Sequence, residues 1–343
     1  MRRAGTSRAN RTTRSRLVAA VLALLTTLLV ASCGLRLETP APPALVPDEI
    51  EQVRQRTVAD AVAVQTLADQ AAATLTEGPL LAALSTVAEA SAAHLALLGG
   101  VYDPGTTPTP QASGPPTASP GAPTASTAPA VTPQDVVALL VKASAGARSD
   151  ASAVADGRLA RILCSVAVSR ALLAEGLAAA AGVAPPDVPD SAFVVPVAVP
   201  AGLTSTDVAA LVQSEDALGL AWEITAARAQ GDPRASEAAR ALEHRSRGEL
   251  WARAADLDGT ALDPRRSSYD LPPVLTASAS EPAAVLAELA ALEGDLAVDY
   301  VSLVAAVDAG SRSELVDAAL DATREQARLG GAPGNTPGLP ERS

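Results

Sequence analysis

Blocks of apolar residues spaced three and four apart recur along this chain, separated by breaks rich in proline and glycine. The first block is Ile50, Val53, Thr57, Ala61, Val64, Ala68, Ala71 and Leu75, which fall on one face of a helix. Asp48 and Glu49 put negative charge at its N-terminus, and Gly78-Pro79 ends it. A second helix is expected over Leu80 to Leu98, on Leu84, Val87, Ser91, Leu95 and Leu98, with Gly99-Gly100 as its stop. Residues 104–132 are almost wholly Pro, Thr, Ser, Ala and Gly, without a charge. No core can be built from them, so a disordered or extended loop is expected. Helical texture resumes at Thr132-Pro133 and runs in two pieces, 133–155 and 158–181, before a proline-containing break from Pro185 to Gly202. The second half predicts helices over Asp207 to Ala229 (on Val208, Leu211, Glu215, Leu218 and Trp222) and Pro233 to Leu257. A loop from Asp258 to Ser280 follows. Glu281-Pro282 then opens a helix on Val285, Leu289, Leu296, Tyr300, Leu303 and Val307, and a last one runs from Ser311 to Leu329.

Both halves thus read helix, helix, long proline-containing connection, helix, helix, and each carries one histidine, His94 and His244, in its second helix. Aromatics make up only 2% of the chain. That starves a β-sandwich of its usual packing residues and suits closely spaced helices with small side chains at their contacts. The expected fold is all-α, with two four-helix bundles arising by internal duplication. The N-terminal bundle would cover 48–182, interrupted by the 104–132 loop, and the C-terminal one 203–330, with 331–343 as a tail.

The N-terminus has the order of a secretory leader. Arg2, Arg3, Arg8, Arg11, Arg14 and Arg16 precede an apolar run from Leu17 to Ala31, and no acidic residue occurs before Glu38. A run of ~15 residues is short for a membrane span. It ends in Val30-Ala31-Ser32-Cys33, which resembles the bacterial lipobox, with Val where Leu is commoner. Residues 1–32 are therefore expected to be removed and Cys33 acylated, with 33–47, rich in proline, as an extended tether. Acyl chains contribute ~0.8 kcal/mol per buried CH₂, so two or three hold a protein durably on a membrane. The expected place is the extracytoplasmic face of the cell membrane. Removing the leader leaves 20 basic against 38 acidic residues, a formal charge of −18. Such a surface is repelled by nucleic acid. The expected partners are the membrane, through the lipid on Cys33, and another envelope protein. With Cys33 acylated, Cys164 has no cysteine to pair with and reads as a small buried hydrophobe.

Several local sequences of the second half carry a resemblance. They are Ser214-Glu215, Glu243-His244-Arg245-Ser246-Arg247, Tyr269-Asp270-Leu271-Pro272, Leu292-Glu293, Tyr300-Val301-Ser302-Leu303-Val304 and Pro337-Gly338-Leu339-Pro340. Together they resemble a ferritin-like domain-of-unknown-function family of actinobacterial lipoproteins, over about 203–341. The resemblance implies a ferritin-like bundle for that part and no particular activity.

A ferritin-like bundle raises the question of a dinuclear metal centre, which needs a Glu from each of two helices and Glu-Xaa-Xaa-His from each of two others. No Glu-Xaa-Xaa-His occurs; Glu89 and His94 are five apart, and Glu243 adjoins His244. No metal or other cofactor is expected. Three carboxylates remain as candidate ligand-binding residues. Glu215 shares a stripe with Leu211, Leu218 and Trp222, Glu243 lies near the face of Leu242, Leu250 and Leu257, and Glu293 joins Leu289, Leu296 and Tyr300. Pairing of all three with Arg245, Arg247 or solvent is the plainer alternative. On the same wheel His244 lies about 140° from the apolar stripe of its helix and is expected at the surface. His94 is expected as a hydrogen-bonded histidine at the edge of a core, and Trp222 and Trp251 as packing residues. Phosphate loops, paired-cysteine motifs and a nucleophile elbow are absent from the sequence. The expected function is a non-enzymatic structural or binding module. The alternative is a metal-binding or oxidoreductase-type protein using a degenerate carboxylate site.

Overall fold

A computed structural model describes residues 46–103, 130–186, 194–277 and 280–342. The expected leader, Cys33, most of the expected tether and nearly all of the expected 104–132 loop lie outside the described residues. From Pro47 onward the described chain belongs to one compact unit. Its elements are α1 (Glu49–Ala72), α2 (Pro79–Leu97), α3 (Pro133–Ala153), α4 (Gly157–Ala181), α5 (Ser205–Arg228), α6 (Asp232–Ala254), α7 (Pro273–Thr276), α8 (Pro282–Val304) and α9 (Ser313–Arg328). No strand occurs among the described residues, and the molecule is all-helical.

The helix starts follow from local chemistry. Asp48 accepts from the Glu51 amide at the start of α1. Thr132 and Thr204 open α3 and α5 with the same reciprocal device: each hydroxyl accepts from the amide of the Asp three residues on, whose carboxylate accepts from the threonine amide. Proline in the first turn starts α2, α6 and α8, where a missing N–H costs nothing. The short α7 falls inside the connection read from sequence as a loop.

α1 packs on α2 and α3, α2 on α4, and α3 on α4; in the second half α5 packs on α6 and α8, and α8 on α9. Small residues set the spacing. A Cβ at Gly219 on α5 would stand 2.9 Å from the Arg245 side chain of α6, so that pair crosses closely. The halves are joined where α4 meets α8 and α9, and α3 meets α9. One apolar cluster runs through this junction, including Val58, Leu98, Leu163 and Cys164 with Trp222, Leu289, Tyr300 and Leu315. Arg312 is buried there and donates to the carbonyls of Ala151 (3.1 Å) and Val154 (2.5 Å), which the end of α3 leaves open.

After α9 the segment Gly330–Arg342 runs back as a strap across both halves. Thr336 and Leu339 are buried, and Glu341 pairs with Arg161 of α4 at 2.7 Å. Gly338 has φ +74° and lies directly on Val301, where a Cβ would stand only 2.4 Å from its side chain. The Asn335 carbonyl accepts from His94 Nε2 of α2 at 2.9 Å. Read from sequence as a tail, this segment is part of the fold.

A buried carboxylate, histidine and arginine network as candidate functional site

The second half encloses a polar centre built by helix periodicity. α6 contributes Arg240, His244, Arg247 and Trp251, which share one face at intervals of three and four. α5 contributes Glu215 and Trp222, α8 contributes Glu293 and Tyr300, and α9 contributes Asp321. Glu215, His244, Glu293, Trp222, Trp251 and Tyr300 have no measurable exposure.

His244 is the hub. Its Nδ1 lies 2.6 Å from Glu215 Oε2, and its Nε2 lies 3.0 Å from Glu293 Oε1. The aromatic residues cross over. Trp222, two turns along the same face from Glu215, donates to Glu293 at 3.0 Å, while Tyr300, the same distance along from Glu293, donates to Glu215. Arg240 closes Glu293 with two bonds, Nε to Oε1 at 3.1 Å and Nη2 to Oε2 at 2.9 Å. The Arg240 and Arg247 Nη1 atoms both donate to Asp321, at 2.9 and 2.7 Å.

With both ring nitrogens facing carboxylate oxygens, both must donate, so His244 is an imidazolium. Burial alone opposes that charge, but the Glu293 and Glu215 carboxylates outweigh it and raise the His244 pKa. Burial likewise opposes the Glu293 charge, and His244 and Arg240 overcome it, holding this carboxyl well below the usual range. Asp321 is lowered against burial by Arg240 and Arg247. Burial first, then the Glu215 carboxylate, push the Tyr300 hydroxyl well above its ordinary value. Three carboxylates meet three cations, and the centre is neutral as a whole.

Of the three carboxylates expected to share a site, Glu215 and Glu293 do meet, with His244 between them. Glu243 does not. Its side chain is 54% exposed, and it accepts from Arg240 Nη1 at 3.1 Å on the outer side of α6. The surface position expected for His244 is overturned. Of the leucines on the expected core stripe, Leu257 is buried past the end of α6, but Leu242 and Leu250 are 68% and 44% exposed, so that stripe is not the buried face of the helix. The buried face of α6 is polar, and its charges are compensated by other helices rather than by neighbours in sequence. Nor does Arg245 serve these glutamates; it pairs with Asp216 at 2.7 Å and Glu223 at 2.8 Å. A repeat in the sequence marks the site: Glu215-Xaa₂-Leu218-Xaa₃-Trp222 and Glu293-Xaa₂-Leu296-Xaa₃-Tyr300 share one pattern, on the two helices that face each other across His244.

A metal ion does not fit here. Both Glu215 oxygens accept from Tyr300 or His244, both Glu293 oxygens accept from Arg240, and the one imidazole carries a proton on each nitrogen. Among the described residues no group of three or more His, Cys, Asp and Glu is arranged to hold one.

Around this centre, Asp216 accepts from the Tyr269 hydroxyl at 2.6 Å and so pins the loop after α6 onto α5. Residues 207–341 match the model of a domain of unknown function, DUF4439. The DUF4439 match contains every member of the network, the Tyr269 anchor and nearly all of the strap, and it leaves α1 to α4 outside. No curated protein and no solved structure matches the chain.

The other histidine is the chemical opposite of His244. His94 is fully buried with Ser169 Oγ 3.2 Å from Nε2, and burial together with Arg170 lowers its pKa to about 4, so it is neutral. Cys164 is a buried free thiol, raised by burial to about 12 and therefore inert.

Proposed function

We propose that this chain is a lipid-anchored helical protein of the extracytoplasmic face, acting as a structural or binding module rather than as an enzyme. The observation that carries this is the closure of the buried network. Both oxygens of Glu215 and of Glu293 accept from protein donors, and Asp321 Oδ2 accepts from Arg240 and Arg247, so the groups are committed to holding four helices together. Reactive groups need an unsatisfied atom aimed at substrate, and this centre presents none.

The anchor rests on the order of the first residues: an arginine-rich segment, an apolar run and Val30-Ala31-Ser32-Cys33. The architecture is proposed as two duplicated four-helix units, α1 to α4 and α5, α6, α8 and α9, the second ferritin-like. Three features support the duplication: the first helix of each half packs on the second and the third, the third packs on the fourth, and each second helix buries a histidine.

The test is the metal content and turnover of the full chain purified without chelators. A metal-free protein, inert toward redox and hydrolytic substrate panels, is the expected result. Stoichiometric iron or manganese lost on Glu215→Gln, or turnover that needs Glu293, would overturn it in favour of a degenerate carboxylate site.

A further inference from the structure

A cleft of about 810 Å³ opens between α2, α4, the end of α9 and the strap. This is within the range of small-molecule sites, roughly 300–1,000 Å³. It lies where the DUF4439 match meets the helices that precede it, and such junctions are frequent places for ligands. Its walls are apolar: Ala83 on α2, Leu172, Leu173 and Leu177 on α4, and Ala327 and Pro333 on the far side. α2 and α4 are also the two described helices long and apolar enough, by composition, to cross a membrane, and only 28% of the apolar stretch of α2 is buried.

The charges at the rim are already matched. Arg324 pairs with Glu175 at 2.6 Å, Arg328 pairs with Glu325, and Asp321 is taken by Arg240 and Arg247. A charged ligand would have to displace one of these pairs, whereas an uncharged one would not. A glycine adds an independent sign. Gly176 stands on the cleft wall in the last two turns of α4, at an exposed position; it has ordinary helical backbone, and a Cβ there would meet nothing within 4 Å. Glycine inside a helix costs about 1 kcal/mol against alanine. Neither backbone conformation nor close packing calls for it at this position, but it widens the cleft.

We propose that this cleft holds a neutral single-chain lipid, a long alkyl chain with an uncharged hydroxyl or ester head of the monoacylglycerol class. The chain lies along α2 and α4, and the head takes hydrogen bonds from the guanidinium groups at the rim. This rests on the reading of the molecule as a binding module.

The full chain, reconstituted in phosphatidylcholine nanodiscs, is irradiated with a monoacylglycerol bearing a diazirine in its chain, and the labelled peptides are mapped by mass spectrometry. Label is expected on peptides covering Leu172–Leu177 and residues 327–335, with monoolein competing about tenfold better than oleate. Gly176→Leu should cut that label severalfold while leaving the helical circular dichroism unchanged, and Gly176→Ala should retain it. Label confined to residues 1–45 or scattered over the surface, equal competition by oleate, or no effect of Gly176→Leu would overturn the proposal. If the cleft stays unlabelled in a protein without metal or turnover, the lipid assignment falls alone; measured turnover would remove the module reading beneath it.

Discussion

His244 and His94 are both fully buried, yet one is charged and the other neutral, and the difference is the company each keeps. His244 faces two carboxylates, whereas His94 faces a carbonyl and a hydroxyl with Arg170 nearby. Their effects on stability therefore have opposite signs. The folded pKa of His244 is above its ordinary value of about 6.5, so its contribution is complete below that pH and is lost as pH rises through the folded value. The folded pKa of His94 is about 4, so its contribution is present above about 6.5 and is lost as pH falls toward 4; the shift corresponds to roughly 3 kcal/mol. Urea midpoints measured across pH should pass through a maximum near neutrality. His244→Asn should flatten the alkaline limb and His94→Asn the acid one; a wild-type profile without an acid limb between pH 6.5 and 4 would contradict the neutral buried His94. At a fixed neutral pH, His244→Ala removes the cation shared by two buried carboxylates and leaves Glu215 with the Tyr300 hydroxyl as its hydrogen-bond donor, which should cost ~3–5 kcal/mol, against ~1–2 kcal/mol for Trp222→Phe, which removes one donor from a carboxylate that keeps three others. Equal losses in chemical denaturation would mean the histidine is not the hub.

At the scale of the element, α4 carries two glycines that should answer oppositely to the same change. A Cβ at Gly157 would stand 2.2 Å from the Ala305 carbonyl at the end of α8, so Gly157→Ala must push helices apart and should destabilise by ~1–3 kcal/mol. Gly176→Ala meets open space and should stabilise by up to ~1 kcal/mol. Paired thermal melts of the two variants check this, and a common sign would refute the packing described here. Helix-level legibility divides along similar lines. Seven of the eight long helices could be read from three-and-four spacing and from Pro and Gly breaks because their buried faces are mostly apolar. Glu215 and Glu293 stood out for the same reason, as acids on apolar stripes. α6 could not be read that way. Its inward face is Arg240, His244 and Arg247 around Gly248 and Trp251, and only the partners on α5, α8 and α9 make that face cheaper to bury than Leu242. Its outer leucines should accordingly tolerate charge: Leu242→Lys is expected to shift stability by no more than ~0.5 kcal/mol in the same melts. The strap was illegible too, since Thr336, Gly338 and Leu339 make an irregular segment with no period to detect.

For the whole molecule, the junction decides how the halves behave. They share one apolar cluster, and ion pairs such as Arg148–Asp317 (2.6 Å) and Arg324–Glu175 (2.6 Å) bridge them. Unfolding should be a single transition. Both tryptophans lie in the second half, so tryptophan fluorescence reports that half while far-ultraviolet circular dichroism reports the helices of both; the two denaturation curves should coincide. Separated midpoints would show that the halves melt independently. The proposed lipid anchor predicts that Cys33→Ala moves the protein from the membrane fraction to the soluble one, because acyl chains would supply the durable part of such an attachment.

The hydrogen bond from His94 to the Asn335 carbonyl also sets an order of assembly. A ribosome delivers α1 to α4 long before the strap, and until the segment around Asn335 has been made, the ring N–H of His94 has only the Ser169 hydroxyl near it. The early helices can form and collapse by then, as domains commonly do during synthesis. The Nε2 of His94 gains its carbonyl partner only when the strap arrives. A ribosome-bound chain stopped before Gly330 should therefore be helical yet readily cleaved by protease in α2, and one extended past the strap should resist.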